Sequence, residues 1–187
     1  MRQWIPLASA LLYWGAVAIR AQLLKRQIGR SPNLKPRTGK EWALWAGWTA
    51  VVIGWAVSGF VRSSLSYEGP VSFWTGIAAI LLGLAGTLWA HASMGDAWRI
   101  GIDPTERTSL VMRGPYRRMR HPIYSFQCLI LIGVFLVKPS ATSLLLLVLH
   151  RLLVSVKIHD EEAYLERTYG PIYKEYRQHT GSLWPKV

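Results

Sequence analysis

Long apolar runs alternate with polar, mostly basic segments along the whole chain. Residues 4–24 are apolar except for Ser9, Arg20 and Gln22. Such a run, as helix, is long enough to cross the hydrocarbon core of a bilayer. Residues 42–61 carry no charge, and residues 71–91 form a third run of similar length. Two shorter runs follow, 123–137 and 141–156, separated by Lys138-Pro139-Ser140. Each would make roughly 22 Å of helix, which is short for a full span and predicts a tight helical hairpin, tilted or partly sunk. The pattern predicts an all-α polytopic membrane protein of five spans, one domain over 1–187, with a polar C-terminal segment over 157–187.

The polar stretches predict an orientation. The segment after the first span holds Lys25, Arg26, Arg30, Lys35, Arg37 and Lys40, and with its prolines and glycines it reads as a loop over 25–40. The segment after the third holds Arg99, Arg107, Arg113, Arg117, Arg118 and Arg120, with a turn at Asp103-Pro104. The loop after the second span holds only Arg62 and the hairpin tip only Lys138. The positive-inside rule then predicts an outer N-terminus, with the C-terminus and both polar segments from Ser93 onward on the cytoplasmic side.

Composition refines this picture. The net charge of +12 would suggest nucleic acid in a soluble chain. Placed in loops beside apolar helices, the charge points to membrane topology and anionic headgroups, with no nucleic-acid partner. Ten Trp and eight Tyr fit interfacial belts. Cys128 is the single cysteine and lies in an apolar run, which leaves no disulfide framework or cysteine metal site and suggests a buried, inert thiol. Residues 1–24 lack the basic start and cleavage site of a signal peptide. Gly76, Gly83 and Gly86 read as helix-packing positions. Arg20 is expected to snorkel to the nearer interface, and His91, at a span end, to be a satisfied interfacial histidine.

The stretch richest in chemistry is Gly114-Pro115-Tyr116-Arg117-Arg118-Met119-Arg120-His121-Pro122-Ile123-Tyr124. Pro122 suits the first turn of a helix. Arg120 and His121 then precede a helix N-terminus, and Tyr124 stands one turn in. This is either an anion-receptive helix start or a basic juxtamembrane anchor with an interfacial tyrosine. Arg151 is a charge inside an apolar run, so it should face a cavity or a partner and offers a bidentate clamp for a carboxylate or phosphate. Asp160, Glu161 and Glu162 form an acidic run in a basic chain. They are either a solvated face or a complement to a helix N-terminus, or else acceptors for a ligand's amine or ribose hydroxyls. Tyr173, Tyr176 and Trp184 suggest an amphipathic tail along the headgroups. There is no glycine-rich phosphate loop, zinc-ligand spacing or serine elbow.

Together these residues form a known pattern. Gly114-Pro115-Tyr116, Arg120-His121-Pro122-Ile123-Tyr124, an apolar hairpin, Glu161-Glu162-x-x-Leu165 and Tyr169-Gly170-x-x-Tyr173-x-x-Tyr176 resemble the isoprenylcysteine carboxyl methyltransferase family. The wider group includes membrane phospholipid N-methyltransferases. The likeness covers residues 110–185, including the closing Gly181-Ser182-Leu183-Trp184-Pro185. It implies S-adenosyl-L-methionine as methyl donor, with S-adenosyl-L-homocysteine as product, in a cytoplasmic pocket between the two polar segments and the hairpin. His121, Pro122, Tyr124, Glu161 and Glu162 would belong to the cofactor site, with Arg120 adjacent. Arg151 and Glu162 would be the catalytic residues. Arg151 would orient a carboxylate acceptor, whereas an amine acceptor would need Glu161 or Glu162 as base. The acceptor would be a lipid or prenylated molecule entering sideways from the membrane. A non-catalytic protein that binds anionic lipid through its basic loops, and a nicotinamide-dependent sterol reductase, are the rival readings.

Overall fold

Helix boundaries follow the local punctuation. In the computed structural model, which describes residues 2–29, 36, 38–62, 69–98 and 109–186, α1 spans Trp4–Ile28, α2 Gly39–Val57, α3 Pro70–Met94, α4 Pro122–Val137, α5 Ala141–Tyr169 and α6 Pro171–His179. Thr38 opens α2 through a capping box with Glu41, and Ser140 opens α5 through one with Ser143. Proline stands in the first turn of α3, α4 and α6. Gly170, at φ 54°, makes the sharp turn from α5 into α6, a conformation that L side chains rarely adopt. The all-α expectation is met among the described residues, where the only β pairing is a single bridge between Met119 and Gly181.

Four helices, α1, α2, α3 and α5, are long and apolar enough to cross a membrane, and α4 is a shorter apolar helix of 16 residues. The five expected spans therefore resolve into four long helices and one short one. Two boundaries differ from the expectation. The loop read over 25–40 is narrower, since α1 continues to Ile28 and α2 starts at Gly39. Its residues 30–35 and 37, like the turn at Asp103-Pro104, lie outside the described residues. More consequentially, the polar segment from Lys157 does not begin a new element. α5 runs 29 residues without a break, about 44 Å, and carries Glu161 and Glu162 on the same rod as the apolar run. Lys157 to Tyr169 contains no glycine or proline to stop it.

The α3–α4 contact depends on missing side chains. A Cβ on Gly76 would lie 2.7 Å from the Gly133 carbonyl oxygen, and one on Gly133 would lie 2.6 Å from that of Gly76. Gly83 and Gly86 face Ile130 and Phe126 on the same seam, as their spacing predicted. Elsewhere the core is aliphatic and aromatic. Trp55 is fully buried, rests against Tyr13, and donates its indole N–H to Ser9 Oγ at 3.0 Å. Two polar residues at this end of the bundle are buried or partly buried. Arg20 does not snorkel outward: its Nη2 donates to the Gly95 carbonyl at 2.6 Å, at the end of α3. His91 is buried edge-on against Trp98, and its Nδ1 has no hydrogen-bond partner among the described residues.

Candidate functional site

The segment before α4 is fixed by its backbone. Gly114–Arg117 forms a 3-10 turn, and the chain then pairs with the C-terminal tail. The N–H groups of Arg120 and His121 donate to the carbonyls of Gly181 and Ser182 at 2.9 and 3.0 Å, and Gly181 N–H returns to the Arg118 carbonyl at 3.1 Å. Ser125 Oγ donates to the Leu183 carbonyl. Tyr173 is fully buried, and Tyr176 is buried with its hydroxyl donating to the Tyr116 carbonyl at 2.7 Å. The tail does not lie along headgroups with its aromatic face, as its pattern suggested. α6 turns Tyr173 and Tyr176 inward, and among the three aromatic residues named only Trp184 is exposed, at 68%.

Onto this frame the two motifs converge. His121 occupies the N-cap position of α4 and Pro122 its first turn. The imidazole sits between two carboxylates, with Nδ1 3.4 Å from Glu161 Oε2 and Nε2 3.1 Å from Glu162 Oε1. Arg120 Nε donates to the same Glu162 oxygen at 2.9 Å, and its Nη1 reaches the Thr180 and Arg177 carbonyls. Tyr124 donates its hydroxyl to Glu161 Oε1 at 2.8 Å, and Lys157 Nζ stands 3.9 Å from that oxygen. Burial works against charge on His121, but the two glutamates outweigh it and raise its pKa above the ordinary histidine value. The two glutamates share His121 and differ in their other partners: Glu162 also pairs with Arg120, and Glu161 with the Tyr124 phenol and Lys157.

The structure brings Arg120, His121, Tyr124, Glu161 and Glu162 together and places Pro122 beside them. Arg151 stands apart. Its Nη1 donates to Ser155 Oγ one turn on, and it lines a separate groove between α4 and α5. Sequence reasoning missed Trp48, whose ring stacks on Tyr124 at 6.2 Å with a 27° interplanar angle; Tyr124 in turn stacks on His121 at 6.0 Å. It also missed the ion pair of Lys40 with Asp160 at 2.6 Å, which ties the start of α2 to α5 beside the cluster. Cys128 is buried as expected, with Sγ 3.4 Å from His150 Nδ1.

Residues 71–172 match the family described as phospholipid methyltransferase. That stretch is more than half of the chain and takes in α3, the 3-10 turn, α4 and α5. The chain belongs to the phospholipid methyltransferase family. Its curated relatives include YpbQ of Bacillus subtilis (strain 168), an uncharacterised protein, 35% identical over 104 residues, which are 54% of this chain and 62% of YpbQ. They also include the nickel-cobalt-cadmium resistance protein NccN of Alcaligenes xylosoxydans xylosoxydans, 28% identical over 116 residues, 61% of this chain and 53% of NccN. The matches thus span less than two thirds of either relative's length. Both motifs of the cluster lie inside the family match, whereas Trp48 and Lys40 lie outside it.

Proposed function

We propose that the chain is a membrane methyltransferase that uses S-adenosylmethionine and acts on a lipophilic acceptor. The observation that carries this reading is the convergence of Arg120-His121-Pro122-x-Tyr124 with Glu161-Glu162 across the hairpin, in a chain of a methyltransferase family. The donor set suits the cofactor. Glu161 keeps 24% side-chain exposure and carboxylate lone pairs, suited to an ammonium group or ribose hydroxyls. Tyr124 and Trp48 add aromatic faces, which favour cations. In this reading His121, Pro122, Tyr124, Glu161 and Glu162 hold the donor, and Arg120 fixes Glu162.

When bound, S-adenosylmethionine supplies a methyl group on a sulfonium that is already activated, so the protein's task is alignment. A carboxylate acceptor is a nucleophile at neutral pH and needs only orientation, the role we give Arg151. An amine acceptor must lose a proton, and Glu161 or Glu162 would take it. We favour the first case, an activity like that of isoprenylcysteine carboxyl methyltransferases, because Arg151 is the cation on an otherwise apolar groove. Phospholipid N-methylation is the second reading, favoured by the description of the family itself. The basic segments support a cytoplasmic cofactor site and C-terminus, with the N-terminus outside.

Calorimetry of the detergent-solubilised protein with S-adenosylhomocysteine, beside a titration with a nicotinamide dinucleotide, tests the reading. Saturable binding of the first alone is expected. Binding of the nicotinamide would favour a reductase, and binding of neither would leave a non-catalytic lipid-binding protein.

A further inference from the structure

Two tyrosines near the carboxylate cluster use their hydroxyls within the fold. Tyr124 donates to Glu161 Oε1 at 2.8 Å, and Tyr176 to the Tyr116 carbonyl at 2.7 Å. Tyr173 does not. It lies one turn before Tyr176 on α6, with ring centroids 6.1 Å apart, and is fully buried. Its hydroxyl is shut from solvent and has no hydrogen-bond partner among the described residues. The charges of Glu162 and Arg120 both act on this phenol, which stands beside their ion pair. Burial, and after it the Glu162 charge, push its pKa above the usual tyrosine value, so the hydroxyl stays protonated and can donate.

An enclosed hydroxyl without a partner destabilises the free protein, and a phenylalanine of the same shape would not. Glu162 offers the complementary half. Its Oε1 meets both Arg120 and His121, whereas its Oε2 has no partner among the described residues, and 20% of the side chain is exposed. A donor beside an acceptor matches a hydroxyl, whose oxygen both gives and receives a hydrogen bond. An ammonium group would leave the phenol proton unmatched. A carboxylate would meet the charge of Glu162.

We propose that Tyr173 is a specificity residue of the donor site: its phenol donates to a ribose hydroxyl of the bound nucleoside, and that hydroxyl donates in turn to Glu162 Oε2. The contact forms when the Glu162 carboxylate turns toward the site, which its partial exposure permits. Glu161, on the far side of His121, is left for the ammonium group. The pair thereby selects a ribonucleoside over a deoxyribonucleoside. The inference rests on the methyltransferase reading and adds to it the atoms that choose the sugar.

The test is calorimetry of the detergent-solubilised full chain with S-adenosylhomocysteine and its 2′-deoxy and 3′-deoxy analogues, beside melting temperatures without ligand. Wild type should bind the parent compound about tenfold more tightly than at least one analogue. Tyr173→Phe should lose about fivefold for the parent and little for that analogue, so that the preference contracts to about twofold. Its ligand-free melting temperature should hold or rise, because the change deletes a buried hydroxyl that bonds nothing. Tyr176→Phe, which breaks a bond within the fold, should melt lower and keep the preference. Equal wild-type affinity for all three compounds would overturn the proposal, and that comparison needs no variant. An equal loss for parent and analogue in Tyr173→Phe, or a lowered melting temperature, would overturn it as well, since the hydroxyl would then serve the fold. Wild type that binds none of the three compounds would remove the methyltransferase reading itself. Wild type that binds them without regard to the ribose hydroxyls would leave that reading standing and remove only the role of Tyr173.

Discussion

α4 is held on one face by close approach and at its start by charge. Toward α3, Gly76 and Gly133 let two backbones approach until carbonyl oxygens fill the space of absent side chains. No polar side chain is needed there, and dispersion between backbones does the holding. At its first turn the same helix is tied to α5 and the tail through His121, Arg120, two glutamates and a line of backbone carbonyls. The first contact tolerates no added volume. The second tolerates no missing partner, because each removed group leaves another buried and unpaired. Stability and site geometry thus separate along a single helix.

Four changes sharpen this contrast. Arg120→Ala should have the largest effect: it frees Glu162 and two tail carbonyls, at a cost of about 2–3 kcal/mol after allowance for the exposure of Glu162. Loss of S-adenosylhomocysteine affinity should accompany a lower melting temperature in detergent. Unchanged affinity would show that Arg120 serves the tail alone. Gly133→Leu should cost about 1–3 kcal/mol by overpacking. In contrast to Arg120→Ala, the protein that remains folded should keep its affinity, as read by calorimetry.

The third concerns pH. The folded pKa of His121 is raised above its unfolded value of about 6.5, so the protonated imidazole contributes stability that is full below that value. The contribution is lost as pH rises through the folded pKa. The melting-temperature gap between wild type and His121→Gln should therefore be widest in mild acid and narrow steadily above neutrality. A gap that widens with pH would reverse the assignment. The smallest effect is expected of Tyr124→Phe, which removes one hydrogen bond to the partly exposed Glu161 and keeps the ring stack. About 1 kcal/mol, or roughly fivefold in donor affinity, is expected.

The sequence made much of this legible for identifiable reasons. The helices showed because their apolar runs are long and their ends carry Pro122, Pro139 and Gly170. The cluster showed because its side chains fall in two short motifs. Trp48 did not, since a ring 76 positions before Tyr124 shares no local pattern with it. The carbonyls of Thr180 and Gly181 did not either, because any residue supplies a carbonyl and only the fold says where it points. The apolar run over 141–156 marks a change of surroundings and not the end of α5. The helix-forming residues that follow, Glu161 to Arg167, argue for continuation. Tyr173 and Tyr176 were assigned to the wrong surroundings because an amphipathic pattern identifies an apolar face without saying whether lipid or protein covers it.

The unbroken course of α5 sets a phase relation. Arg151 and Glu162 are eleven positions apart on one rod, which at about 100° per residue brings them back to nearly the same azimuth, about 16 Å apart along the axis. Nothing between them can act as a hinge. Inserting a single residue would swing one group about 100° away from the other, whereas inserting four would restore much of the alignment while adding about 6 Å. The helix therefore works as a gauge with a fixed pitch: whatever occupies the groove and whatever occupies the carboxylate cluster must together fill one set distance, and the length of the chain between the two sites, more than its composition, is what this arrangement constrains.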